Sequence, residues 1–108
     1  MTVSVADSGS QTATISTEHD LSTITSAGVY VLAVDLANLA AGDEVELRIY
    51  GKARSTDTER LRFRGTYAYP VASPLKESVA VTSPHHFRAT LKQTAGTGRA
   101  FPWAVYAV

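Results

Sequence analysis

Two neighbouring stretches of the chain, residues 29–52 and 60–69, alternate between apolar and polar positions. In the second, Leu61, Phe63, Gly65, Tyr67 and Tyr69 fall on one side, and Arg60, Arg62, Arg64, Thr66 and Ala68 on the other. Successive side chains of a strand point to opposite faces of its sheet. One face therefore meets a core and the other carries a ladder of arginines. Before it, Val45, Leu47, Ile49 and Gly51 alternate with Glu44, Glu46, Arg48, Tyr50 and Lys52. The polar stretch 53–59 joins these two strands, which predicts a hairpin. With its tip at 54–57, paired residue numbers sum to roughly 110–112. Any even sum puts Glu44, Glu46 and Arg48 on the face of Arg60, Arg62 and Arg64, whereas an odd sum would turn charges into the core. Opposite charges across the pair would each contribute a few tenths of a kcal/mol up to about 1.

The remaining elements follow the same logic. Val29 to Val34 form a continuous β-branched and aromatic run, a strand covered on both faces. The spacing of Leu36 and Leu39 predicts one helical or 3₁₀ turn closed by Gly42. Pro70, Pro74 and Pro84 bar residues 69–74 from a central strand and leave a short strand at Val79-Ala80-Val81. Phe87, Ala89 and Leu91 alternate with His86, Arg88, Thr90 and Lys92, and residues 94–98 form a turn. The last stretch, with Phe101, Trp103, Val105 and Ala107 against Ala104, Tyr106 and Val108, is apolar on both faces. Such a strand is central in its sheet or buried by a partner. Ser and Thr fill twelve of the first 27 positions. This lead reads either as two short strands about a turn at 7–10 or as an extended arm that orders on a neighbour. Together these elements predict an all-β fold, an antiparallel, jelly-roll-like β-sandwich of about seven or eight strands. It occupies residues 28–108 and follows an N-terminal arm or short strands over 1–27.

Composition narrows the function classes. The 108 residues make one domain, and 44% hydrophobic with 19% charged residues is the balance of an ordinary globular protein. Ten basic and ten acidic residues cancel, so no overall field draws the chain to nucleic acid or an anionic membrane. Without cysteine there are no disulfides, thiolate metal sites or cysteine nucleophiles. Self-association is then one route to stability for a small domain. The start lacks a basic n-region and an apolar h-region, so no signal peptide is expected. The apolar stretch 29–41 is interrupted by Asp35 and Asn38 and is too short to span a bilayer.

Candidate chemistry is sparse. His85 and His86 are adjacent, so on a strand their rings point apart and do not share an ion; His19 is remote in sequence. Serines, histidines and aspartates are present, but nothing resembles a nucleophile elbow or an oxyanion loop. Gly96-Thr97-Gly98-Arg99 precedes a strand-like run, where a phosphate cradle would need a helix. No catalytic residue, cofactor or metal ligand is assigned. The arginines Arg48, Arg60, Arg62 and Arg64 make a basic stripe partly neutralised by Glu44 and Glu46. They are candidates for a protein interface, together with Trp103 and Tyr106. A carbohydrate- or polyanion-binding module using the Arg60/Arg62/Arg64 face is the alternative.

Several stretches resemble a known family: 11–19 (QTATISTEH), 25–32 (TSAGVYVL), 34–39 (VDLANL) and 42–49 (GDEVELRI). They are similar to a small protein found among the virion structural genes of tailed bacteriophages and related phage-like particles. The resemblance covers about the first half of the chain and contains no catalytic motif. It implies a β-rich, head-associated particle component, such as a capsid decoration or a vertex or spike base. It would be located in the virion, with itself and a capsid or other virion protein as partners. A membrane partner is not expected, nor is nucleic acid.

Overall fold

The computed structural model describes residues 2–108; Met1, the first residue of the lead, lies outside the described residues. No helix occurs among them. Nine strands run in chain order: β1 (Ser4–Thr12), β2 (Glu18–Ile24), β3 (Gly28–Asp35), β4 (Glu44–Gly51), β5 (Arg60–Ala68), β6 (Leu75–Glu77), β7 (Val81–Ser83), β8 (Phe87–Ala95) and β9 (Ala100–Ala107). They form two antiparallel sheets. Sheet one has the order β1-β9-β3-β6, with β7 also paired to β3; sheet two has the order β2-β8-β4-β5.

One core lies between the sheets. From sheet one come Leu32 and Val34 of β3 and Phe101 and Val105 of β9; from sheet two come Val45, Leu47 and Ile49 of β4 and Phe87, Ala89 and Leu91 of β8. All of these are at most 1% exposed. Tyr30 and Phe87 join the sheets, their ring centroids 5.3 Å apart at an interplanar angle of 51°. Such tilted aromatic pairs are favourable beyond their buried area. The chain is therefore an all-β, sandwich-like domain.

The hairpin forms as read. Its tip is closed by Asp57 N–H donating to the Arg54 carbonyl at 3.0 Å, and the first six pairs run from Glu44↔Ala68 to Ile49↔Phe63, their numbers summing to 112. A bulge then intervenes: Tyr50 pairs with Leu61 and Gly51 with Arg60, leaving Arg62 without a partner. Bulges re-aim side chains, and this one changes the expected faces. Leu61 reaches the outer face beside Tyr50 and is 47% exposed. The expected cross-strand charge pairs also change, because Arg48 stands opposite Arg64 and Glu46 opposite Thr66.

Other expectations shift by small amounts. The Leu36–Gly42 stretch makes turns, with Leu39 N–H donating to Leu36 and Asp43 N–H to Ala40, while Gly42 takes φ +90°. The short strand expected at Val79 begins at Val81, and Val79 is exposed. β6 and β7 lie along the two ends of β3 like halves of one edge strand. Ser78 fills the gap: its N–H donates to the Leu32 carbonyl at 2.8 Å, and its Oγ accepts from Leu32 N–H at 3.0 Å. The Ser/Thr-rich lead supplies β1, paired along β9, and β2, paired along β8.

The turn between β8 and β9 is pinned to the start of β4 by Asp43, which is 2% exposed. Its carboxylate accepts from Ala40 N–H at 2.9 Å, Thr97 N–H at 3.0 Å and Arg99 Nε at 2.8 Å. The Ala40 amide, followed by Arg99, holds this carboxyl below the usual aspartate range. Gly96 makes the approach possible. It has φ +91°, and a Cβ there would sit 1.9 Å from Asp43 Oδ1 and 2.8 Å from Asp43 Cα.

Candidate functional site

The outer faces of the two sheets differ in chemistry. Sheet two turns a charged face outward. There Arg88 donates to both oxygens of Glu59, Nε at 3.0 Å and 3.2 Å and Nη2 at 2.6 Å, and it also pairs with Asp20. His86 Nε2 lies 2.7 Å from the same Glu59 carboxylate. The Arg88 guanidinium stacks over the Tyr50 ring at 4.4 Å from its centroid. Tyr50 in turn donates its hydroxyl to Glu18 at 2.6 Å, and Thr90 Oγ1 donates to the same carboxylate at 2.7 Å. Arg48 lies 3.7 Å from Glu18, pairs with Glu46, and donates to the Tyr50 hydroxyl at 3.2 Å.

Titration follows this network. The Arg88 guanidinium holds the Glu59 carboxyl below the ordinary range against the opposing effect of burial, with His86 assisting. Burial pushes Glu18 up, but the Tyr50 and Thr90 hydroxyls together with Arg48 and Arg88 outweigh it and hold Glu18 low. Glu59 raises the Arg88 pKa further above its already high value. These charges largely satisfy one another.

Sheet one turns an apolar face outward. In strands β3 and β9 the core takes Leu32, Val34, Phe101 and Val105, so the alternate residues point away from it. Pairing sets them in rows across the sheet. One row is Val5, Tyr106 and Val31; the next is Ser8, Ala104, Ala33 and Glu77. Val29 and Val108 lie at one end, and Pro102, Leu75 and Asp35 at the other. Val5 is 61% exposed, Leu75 52% and Val108 40%. A shallow hollow of about 200 Å³ on this face is lined by Ala33, Asp35, Leu75, Pro102, Trp103, Ala104 and Tyr106. The only charged groups among these residues are Asp35 and Glu77.

The six residues singled out from the sequence separate. Tyr106 lies on the apolar face of sheet one. Trp103 turns to the inner side, half-buried against the core, and its indole packs where a Cβ on Gly9 would come within 3.1 Å. Arg48 and Arg64 are on the outer face of sheet two. Arg60 and Arg62 leave it at the bulge, and the Arg62 side chain lies over Gly51 and reaches the Thr82 carbonyl of β7 in the other sheet. The arginine ladder is thus split.

Val31, Ala33, Ala104 and Leu75 were not singled out by sequence reasoning. The signal was present for the first three, since β3 and β9 read as apolar on both faces; Leu75 lies on the short β6, which carried none. The Asp20–Arg88–Glu59 network was not legible, because it joins residues 68 and 29 positions apart. Among the described residues no cluster of three metal-ligating side chains occurs, and no serine hydroxyl is hydrogen-bonded to a histidine.

These features define a class: a sandwich-like all-β domain with one self-neutralised face and one apolar face. No family model, curated protein or solved structure matches the chain.

Proposed function

We propose that this chain is a non-enzymatic structural component of a phage-type virion. In this reading it is an oligomeric head-decoration or vertex/spike-base protein, joined copy to copy through the outer face of sheet one and bound to the capsid. The observation that carries the reading is the apolar outer face itself. Four strands about 4.8 Å apart and about 26 Å long give a face of roughly 500 Å². With Ser8, Asp35 and Glu77 on it, about 60% of that area is apolar, roughly 300 Å², comparable to the largest apolar patch on an ordinary monomer. Two such faces closing on each other would remove about 1,000 Å², where specific interfaces begin. Tyr106 offers the aromatic anchor that interfaces favour.

Two further features support the reading. The order β1-β9-β3-β6 over β2-β8-β4-β5 fits a jelly roll when β6 and β7 count as one edge strand, an architecture used by viral capsid and lectin domains. In this reading the arm is β1. Its side chains are exposed but for Gln11, and its backbone ladder runs to β9 alone. A strand so held can order against a neighbouring subunit at little packing cost.

Mass spectrometry of purified phage-like particles from cells that carry this gene tests the proposal. The chain is expected in the particle at a fixed ratio to the capsid protein. Its absence from particles, with the protein free in the lysate, would overturn the reading.

A further inference from the structure

The bulge between β4 and β5 sends two arginines to the end of the sandwich. There Arg60, Arg62 and Lys52 line a cleft of about 410 Å³, together with Gly51, Ala53, Thr82 and Pro84. None of the lining residues is acidic. The nearby carboxylates are engaged elsewhere. Asp57 holds Arg54 through contacts at 2.9 Å and 3.1 Å, and Glu59 holds Arg88 and His86 on the outer face of sheet two. Among the described residues, Lys52, Arg60 and Arg62 are in no ion pair.

The arrangement is also positioned. Gly51 is buried, and a Cβ on it would come 2.5 Å from Arg62 Cδ, so the missing side chain opens the path along which Arg62 crosses. The Thr82 carbonyl then takes one donor of the guanidinium through Nη1. A guanidinium carries five N–H donors in a fixed fork, so the other donors remain open to the cleft. Like charges gathered without a counter-charge raise the local potential and attract anions. A solvent-open cleft of this volume has room for a small anion.

We propose that this cleft is a binding site for a phosphate or sulfate group, held by Arg62 and Arg60 through charge-assisted hydrogen bonds and by Lys52 as a point charge. The group is either a free anion or a substituent on a saccharide. The site is separate from the apolar face of sheet one, and it stands or falls independently of the virion reading.

The test is a titration followed by ¹⁵N–¹H NMR at low salt with three probes in parallel: sodium phosphate, sodium sulfate and a sulfated disaccharide. Sodium chloride at matched ionic strength is the control. The amides of Gly51, Ala53 and Thr82 are expected to shift with the probe and not with chloride. Arg60→Ser, Arg62→Ser and Lys52→Ser should each weaken binding about tenfold, the usual effect of losing one charge-assisted contact. Arg62→Lys, which keeps the charge but loses the fork, should fall between.

Arg64→Ser serves as the internal comparison, because Arg64 is two residues away on the other face; it should leave binding unchanged. Saturable shifts with the inorganic anions identify a free-anion site. Shifts with the disaccharide alone, carrying the same variant dependence, identify a substituent site. No saturable shift with any probe would overturn the proposal. So would an Arg64→Ser loss equal to that of Arg60→Ser, which would mean a diffuse basic stripe. Melting temperatures of all variants verify folding, and Arg60 and Lys52, which make no side-chain hydrogen bond among the described residues, carry the test should Arg62→Ser fold poorly.

Discussion

If copies join through the outer face of sheet one as proposed, a carboxylate in the middle of that face should dissolve the association and leave the fold intact. Ala104 is the position to use. It lies in the row Ser8, Ala104, Ala33, between the Tyr106 row and the Pro102 end, and its side chain points away from the core. Two faces of roughly 500 Å² remove about 1,000 Å² on closing; at about 60% apolar area and 25 cal/mol per Å² the gross gain is about 15 kcal/mol. Loss of rigid-body freedom costs about 8 kcal/mol. About 7 kcal/mol is left, a dissociation constant on the order of 10 μM. Ala104→Glu would bury one carboxylate per copy, at several kcal/mol per ion, and so weaken association by about 10³-fold or more. In the single subunit the new side chain faces water, so stability should change by about 0.5 kcal/mol or less. Sedimentation velocity across about 1–500 μM, with thermal melts alongside, reads both quantities. Thr66→Lys, on the outer face of sheet two opposite Glu46, should leave association as it was. A protein that stays monomeric up to about 500 μM would refute the reasoning. An Ala104→Glu variant that associates like the parent would do the same.

Two further outcomes follow from the interior and the charged face. Glu18, Asp43 and Glu59 all have carboxyl groups held below their ordinary values, so their contribution is fully present above the unfolded pKa values near 4 and is lost as pH falls through the lowered ones. Melting temperature should drop on the acid side of about pH 4. Glu59→Gln should reduce that drop and cost about 1 kcal/mol at neutral pH, the upper end for a partly exposed pair; an unchanged acid limb would contradict the network. The two glycines with positive φ should respond differently to alanine. A Cβ on Gly42 meets nothing within 4 Å, so Gly42→Ala costs only the backbone strain of about 1 kcal/mol. Gly96→Ala also drives a methyl into Asp43 and should lower the denaturation midpoint several-fold more; equal effects would show that Asp43 does not hold the turn.

Alternation in the sequence reported facing well, since each side chain's direction follows from its own strand. Val45, Leu47, Ile49, Phe87, Ala89 and Leu91 could all be placed in the core on that basis, and all six are there. The runs apolar on both faces marked an apolar second face for β3 and β9, although not that the two strands are neighbours. It failed where geometry depends on the partner strand. A bulge inserts one residue without changing the pattern of types, so residues 60–69 still read as strictly alternating while Arg62 drops out of register. Short edge strands fail for the same reason. β6 and β7 have three residues each, too few to show a period, and their positions are set by pairing with β3 and by Ser78 between them. The ion-pair network on sheet two is legible only after β2 and β4 are both seated beside β8.

The bulge also explains how one strand can serve two surfaces. On the outer face of sheet two, Glu18, Asp20, Glu44, Glu46 and Glu59 meet Arg48, Arg64, Arg88 and Lys92, so the face is close to neutral. An unbroken ladder would add Arg60 and Arg62 beside Arg64, which already stands opposite Arg48, and like charges directly across a pair are destabilising. Shifting the register after Ile49 removes both arginines from that face and gathers them with Lys52 at the end of the sandwich. The same shift exchanges Leu61 onto the outer face, where it is 47% exposed, a cost that core packing alone would not select. The faces and the cleft thus differ by register, and the contrast between Arg62 and Arg64 measures that difference within a single strand.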